Sequence, residues 1–340
     1  MPDVRVALDT NVWAFLTDRD EAQSFARWCR SRGITVVVPP ATLLEISRTK
    51  DPIRRARILA AATTPPRIHP RTEAAEESAE FIEEIRRLRP SWIREKPIHV
   101  ADFESLDRLW TRRVPRFAKY KPDVLGEMTR TMESGRLEYE QQAVVDSQRS
   151  RQDALRAQGR EVNLGNLHDT WVSPADGSDP AYWTPLPLSG RIEEWRFQNA
   201  VVFWSTLQQP ATYGRTLGRD TTRADWIEPF VDLGALRRDH ADFNRLWFEE
   251  IAPERVLRNW LRWALQLAQV RFRLGRGNAT DEQQAAYLPD CDVYATADHR
   301  FHLALEAVCR QAPRSVAKVV YVDRNASSAV AAIEVAISAV

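Results

Sequence analysis

Asp9, Glu45, Asp281 and Asp298 each stand where an apolar run ends or a helical stretch begins. Carboxylates brought together repel, and their charges persist side by side only with a cation between them. Oxygen ligands of this kind select Mg²⁺ or Mn²⁺. An ion so held activates water and neutralises charge developing on a phosphate, so the chemistry to expect is hydrolysis of a phosphodiester. Each acid also has a plainer reading. Asp9 can be a strand-end cap, Glu45 a solvated helix residue, and Asp298 a turn residue. Asp281 can be simply the acid that the positive end of a helix favours.

Competing motifs fail. Asp9-Thr10-Asn11 lacks the second acid of a phosphatase-type loop. Gly275-Arg276-Gly277 follows a helical stretch, not a strand, so it is no dinucleotide fingerprint, and no GxxxxGK(S/T) loop exists. His299 and His302 share one helical face but lack a carboxylate motif, and read as surface or partly buried residues.

If the four acids meet, the surrounding elements must bring them there. Residues 4–9 are a buried strand ending in Asp9, and a helix over 20–32 stops at Gly33. A second strand, 34–40, closes on two prolines, and helices follow over 41–48 and 52–62. Such alternation implies a parallel sheet, whose active site forms beyond the carboxyl ends of the strands. After Pro65-Pro66 the pattern turns helical, with helices expected over 73–88, 103–113, 123–158, 190–207 and 239–250 and a long loop over 163–190. Alternation resumes with an amphipathic helix over 254–275, a short helix over 281–288 and a strand over 292–296. A helix over 301–311, a strand over 316–322 and a final helix over 326–338 complete it. The expected organisation is an α/β core made from residues 1–65 and 257–340, roughly 150 residues in all. A mainly α-helical insertion, 66–256, interrupts it.

On these motifs the chain resembles the PIN-domain nuclease superfamily. VALDTNVWAFL is similar to the opening strand of those nucleases, PPATLLEISR to their second motif, and DEQQAAYLPDCDVYATADHRF to their last motifs. The match covers the two ends, less than half of the chain. It implies a PIN-like, Rossmann-like parallel sheet sandwiched by helices. It also implies that Asp9, Glu45, Asp281 and Asp298 are both the catalytic and the metal-binding acids, holding Mg²⁺ or Mn²⁺. Thr10, Asn11 and Thr296 would support them. Asn278, Asp290 and Asp292 lie near Asp281, and any of them could share the role of the third acid. The departure from the family is the long separation between Glu45 and Asp281, which compact PIN domains keep close in sequence.

The function expected from this resemblance is a metal-dependent endoribonuclease that leaves a 5′-phosphate and a 3′-hydroxyl. Many relatives are toxins or defence effectors. Two alternatives stay open: a DNA or structure-specific nuclease of the same superfamily, and an inactive scaffold that binds partners through the insertion. RNA is the expected partner, and a cognate inhibitor protein and self-association are left open. No run of about 18 apolar residues exists, so no membrane span is expected. MPDVRVALDT does not read as a signal peptide. The scattered Cys29, Cys291 and Cys309 fit a reducing, cytoplasmic compartment and buried, unpaired side chains.

The net charge of +1 conceals an asymmetry. The two outer segments hold 20 Lys/Arg and 15 Asp/Glu, whereas the middle holds 28 and 32. A phosphate-binding surface is therefore expected on the core. Arg255, Arg258 and Arg262 share one face of the helix over 254–275, with Arg271, Arg273 and Arg276 at its end. Arg258, Arg262 and Arg276 are the expected nucleic-acid contacts, although a solvated helix face is the plainer reading. Trp195 and Trp204, near Arg196 and Asn199, could stack on unpaired bases, with burial in a helical core as the bland alternative.

Overall fold

In the computed structural model, residues 4–133, 136–167, 193–213, 223–275 and 277–338 are described. Five parallel strands form one sheet: β1 (Val4–Leu8), β2 (Ile34–Val37), β3 (Arg67–Ile68), β4 (Val293–Thr296) and β5 (Lys318–Tyr321). Their order is β3-β2-β1-β4-β5. The sheet is thus the α/β sheet the alternation implied. The chain winds outward from β1 through β2 and β3, then returns to β1's other side with β4. The order reverses between β1 and β4, which makes the gap beyond their C-terminal ends the topological switch point. Register is tight there: Val6, Ala7 and Leu8 lie opposite Val293, Tyr294 and Ala295.

Central parallel strands are covered on both faces and therefore carry continuous apolar runs. Val6, Ala7 and Leu8 are all buried, as are all four residues of β4. Side chains alternate between two cores. Val6 and Leu8 join Trp13, Val36 and Ile46 on one side, and Ala7 joins Val37 and Tyr294 on the other.

Helices α1 (Thr10–Asp18), α2 (Ala22–Arg32), α3 (Pro40–Ser47) and α4 (Pro52–Ala62) follow the first strands, and α5 (Glu73–Leu88) follows β3. Then come α6 (Val100–Arg108), α7 (Val114–Tyr120), α8 (Pro122–Glu133), α9 (Arg136–Ala157) and α10 (Glu194–Leu207). Three short helices, α11 (Arg223–Ile227), α12 (Leu233–Arg238) and α13 (His240–Arg245), lead to α14 (Leu257–Gln269) and α15 (Gly277–Ala285). α16 (His299–Gln311) and α17 (Ala329–Ser338) close the chain. Among the described residues no helix is long and apolar enough to cross a membrane.

Three differences from the sequence reading have physical reasons. The third strand lies beyond the expected end of the first core segment at residue 65. Proline cannot donate to a ladder but can accept, and Val36 N–H bonds to Pro66 O at 2.8 Å, so the two prolines enter the sheet edge instead of ending it. α1 begins directly at Asp9, which caps it, where no helix was expected before residue 20. The helix expected over 254–275 occupies only Leu257–Gln269, and the basic tail after it is irregular.

The described part of residues 66–256 is mainly helical, with β3 and an isolated bridge between Ile93 and Val231 as its extended parts. It is no separate body. Phe81, Phe203 and Trp247 stack on one another, with ring centroids 4.5–5.4 Å apart, inside the same core as Ala7 and Tyr294. Leu106, Trp110 and Leu125 fill the core on the opposite face, with Val6 and Leu8.

Candidate active site

Asp9 leaves β1 at the switch point. Its N–H still donates to Ala295 O at 2.9 Å, which prolongs the β1–β4 ladder by one bond. Its carboxylate is 4 % exposed and is held by three donors. Thr10 N–H reaches Oδ1 at 2.6 Å, and Asn11 Nδ2 and Thr296 Oγ1 reach Oδ2 at 2.5 and 2.6 Å. Asn11 also accepts from Ala297 N–H at 2.8 Å, so one side chain ties the turn after β1 to the turn after β4. Thr10, Asn11 and Thr296 are therefore direct partners of the acids.

Glu45 enters from α3 and accepts from Thr10 Oγ1 at 2.7 Å. Arg48, one turn later, donates to Thr280 Oγ1 at 2.8 Å and so docks α3 on α15 beside Asp281. Gln269, the last residue of α14, donates to Asp281 Oδ2 at 3.2 Å. Asp298 caps α16 and accepts from Arg300 and Phe301 N–H at 2.8 and 3.0 Å, while its own N–H donates to Thr296 Oγ1 at 3.1 Å. Asp298 is thus a helix cap where a turn residue was the plainer expectation, and its charge still acts on Asp281.

Burial and like charge act together on these groups. Burial, then the charge of Glu45, raises the Asp9 carboxyl to about 7 against the hydrogen bonds that favour its ionised form. Burial likewise raises Glu45, opposed by Thr10, Arg48 and Gln284. Asp281 is raised well above the carboxylate range by burial and then by Asp9, Glu45 and Asp298. All four acids therefore feel one electrostatic neighbourhood. Even so, among the described residues no three His, Cys, Asp or Glu side chains are placed to ligate one ion. Each carboxylate accepts from protein donors.

The rival third acids fall elsewhere. Asp292 accepts from Arg5 N–H at 2.7 Å, at the starting ends of β4 and β1, on the opposite edge of the sheet. Asp290 is paired with Arg258. Asn278 closes a local turn by accepting from Gly275 N–H at 2.8 Å. Asp281 is the one that shares charge with the others.

The basic helix is corrected. Arg258 is buried, forms a two-pronged pair with Asp290 at 2.7 and 2.8 Å, and donates its own N–H to the Glu80 carboxylate at 3.0 Å. Arg262 donates to the fully buried Glu77 at 2.8 Å. Both guanidinium groups are spent on internal acids. The sequence pattern shows a basic face but cannot show that α5 presents its acids to it. Arg276 lies outside the described residues, as do most of the loop expected over 163–190 and the first residues of the helix expected over 190–207. Trp195 is buried in the core and donates to Glu193 at 2.7 Å, whereas Trp204 is half-buried against that core and stacks on His240 at 4.1 Å. Cys29 and Cys291 are buried and Cys309 partly so, all free thiols.

Four partners were missed: Arg48, Gln269, Gln284 and Tyr294. Tyr294 is fully enclosed in β4, its hydroxyl has no partner, and burial followed by the charges of Asp9, Asp281 and Glu45 pushes its phenol up. The only signal was its place in the strand DVYAT, two residues before Thr296. Comparison with protein-family models, with curated proteins and with solved structures found no match to this chain.

Proposed function

We propose that this chain is a metal-dependent phosphodiesterase with a PIN-like fold, acting on RNA. One observation carries the reading. Buried Asp9 and half-buried Glu45 and Asp281 meet at the switch point of a parallel sheet, where the charge of Glu45 acts on Asp9 and the charges of Asp9 and Glu45 act on Asp281. A fold gains nothing from such a group on its own, because each buried charge costs stability unless something compensates it. The donor set is all carboxylate and suits Mg²⁺ or Mn²⁺. Asp9, Glu45, Asp281 and Asp298 would hold the ion. When bound, it supplies Lewis acidity toward a phosphoryl oxygen and a more acidic water.

The protein's own contribution is orientation. Thr296 and Asn11 fix the Asp9 carboxylate, and Thr10 fixes Glu45. Asp281 sits on α15, which Arg48 and Gln269 pin from two sides.

The test is cleavage of labelled RNA and DNA with and without Mn²⁺. RNA cleavage is expected only with metal, leaving 5′-phosphate ends. Asp9→Asn and Asp281→Asn should each lower the rate by ~100-fold or more, in keeping with the several kcal/mol a bound cation contributes. Melting with saturating Mn²⁺ should also raise Tm, because ligand bound only to the folded state stabilises it by ~2.7 kcal/mol at 100 times Kd. Cleavage of DNA instead would move the chain to a DNA-directed activity. No cleavage together with no metal-induced shift in Tm would leave a scaffold that binds partners.

A further inference from the structure

Gln269 does more than hold Asp281. Its own Oε1 accepts from Gln148 Nε2 of α9 at 3.0 Å, so two amides in series connect Asp281 to another part of the molecule. There, α9, α10 and α14 border an open cavity of about 210 Å³. Gln148, Arg151, Glu194, Gln198, Trp263 and Gln266 line it. Gln148 is 4 % exposed, and its Oε1 is buried without a donor. An enclosed acceptor left in that state costs ~1–3 kcal/mol.

The lining specifies the ligand. Arg151 and Glu194 form an ion pair, so the cavity wall carries one charge of each sign and offers no net attraction to a phosphate. Gln198 and Gln266 hold each other at 2.7 Å, which leaves further amide donor and acceptor capacity at the wall. Trp263 and Leu267 add apolar surface. Amide edges beside an aromatic ring suit a flat heterocycle rich in donors and acceptors, read on its edge and packed on its face. A volume of this size holds one such ring system.

We propose that this cavity is a pocket for a single unpaired nucleobase of the strand whose backbone lies at the acid cluster. The source of the base rests on the nuclease reading; the pocket itself rests on the lining. Because Gln148 leads through Gln269 to Asp281, a base held there is tied to the acid that closes the cluster.

The test uses the full chain, without metal, titrated calorimetrically with adenosine, guanosine, cytidine and uridine. These carry no phosphate, so the acids contribute nothing to binding. At least one nucleoside should bind. Ser147→Trp, at an exposed position on the rim, should fill the mouth and weaken that binding at least 10-fold with Tm and circular dichroism unchanged. Gln198→Ala, on the opposite wall, should weaken it without changing the fold. In cleavage of a mixed-sequence RNA, Ser147→Trp should redistribute the cut positions. No nucleoside binding, or binding untouched in both variants, overturns the pocket. Nucleoside binding without any metal-dependent cleavage overturns the nuclease reading and leaves the pocket standing. Cleavage without nucleoside binding does the reverse.

Discussion

Asp9 carries a charge that burial and the neighbouring Glu45 both oppose. Its carboxyl ionises near 7 in the folded chain, against an ordinary value of 3.8. The folded state therefore binds more protons than the unfolded state between those values, and stability falls as pH rises through that window. Glu80 and Glu282, raised by burial to about 7 from 4.5, act in the same direction. Metal-free protein should melt at a lower temperature at pH 8 than at pH 5.5. Asp9→Asn should raise Tm at pH 8, by ~1–4 kcal/mol of stability, and flatten the profile. A variant less stable than the parent at pH 8 would mean that Asp9 contributes more through its three hydrogen bonds than its charge costs.

Arg262 shows the opposite case, and shows why residue-level reading stopped where it did. Its spacing with Arg255 and Arg258 suggested a phosphate-binding face. In the fold it faces Glu77, which also pairs with Arg223. The charges of Arg262 and Arg223 hold Glu77 below its ordinary range despite complete burial. Arg262→Ala leaves an acid buried with half its compensation and should destabilise the protein by ~3–5 kcal/mol in denaturant unfolding. A change confined to RNA affinity, with unfolding unaltered, would restore the surface reading. Asp9-Thr10-Asn11 was legible because its partners are neighbours in sequence or lie across the paired strands. The Arg262–Glu77 pair was not, because |i−j| is 185 and helix periodicity says nothing about the facing element.

At the scale of elements, the site is a junction of two strand ends and three helices. β1 and β4 were readable from their apolar runs and from the acid or threonine that ends each. β3 was not, since two residues cannot show alternation and the prolines before it resemble a stop. α15 is the least self-sufficient part of the junction. It is short, and its approach to the acids depends on Arg48 binding Thr280 and on Gln269 binding Asp281. Arg48→Ala should therefore cost about 1–2 kcal/mol of stability from the lost charged hydrogen bond. It should also lower metal affinity more than Gln269→Ala does, because Arg48 also favours the ionised form of Glu45, for which a proton competes with the metal. Mn²⁺ titration of the two variants, followed by Tm, separates these contributions. Equal affinities in both would show that Arg48 acts only as a tether.

The whole molecule departs most from a core with an insertion. The sequence between the prolines and α14 looked detachable because its helical periodicity differs from the strand–helix alternation on either side. Periodicity reports local geometry and does not say what a helix packs against. In the fold, Phe81, Trp195, Phe203 and Trp247 from that stretch lie in one core with Ala7, Val37 and Tyr294, and the opposite face takes Leu106, Trp110 and Leu125. The ion pairs of α14 also depend on it, since Glu77 and Glu80 belong to α5. Joining residues 1–65 directly to 257–340 would strip apolar cover from both faces of the sheet, remove β3, and leave Arg262 buried without its principal acid. Each fully buried large side chain contributes ~1.5–3 kcal/mol, so losing all seven removes ~10–21 kcal/mol, as much as the ~5–15 kcal/mol by which domains are stable. The shortened chain should show no cooperative thermal transition and no dispersed amide spectrum. A folded, Mn²⁺-responsive product would establish the two ends as an independent catalytic core after all.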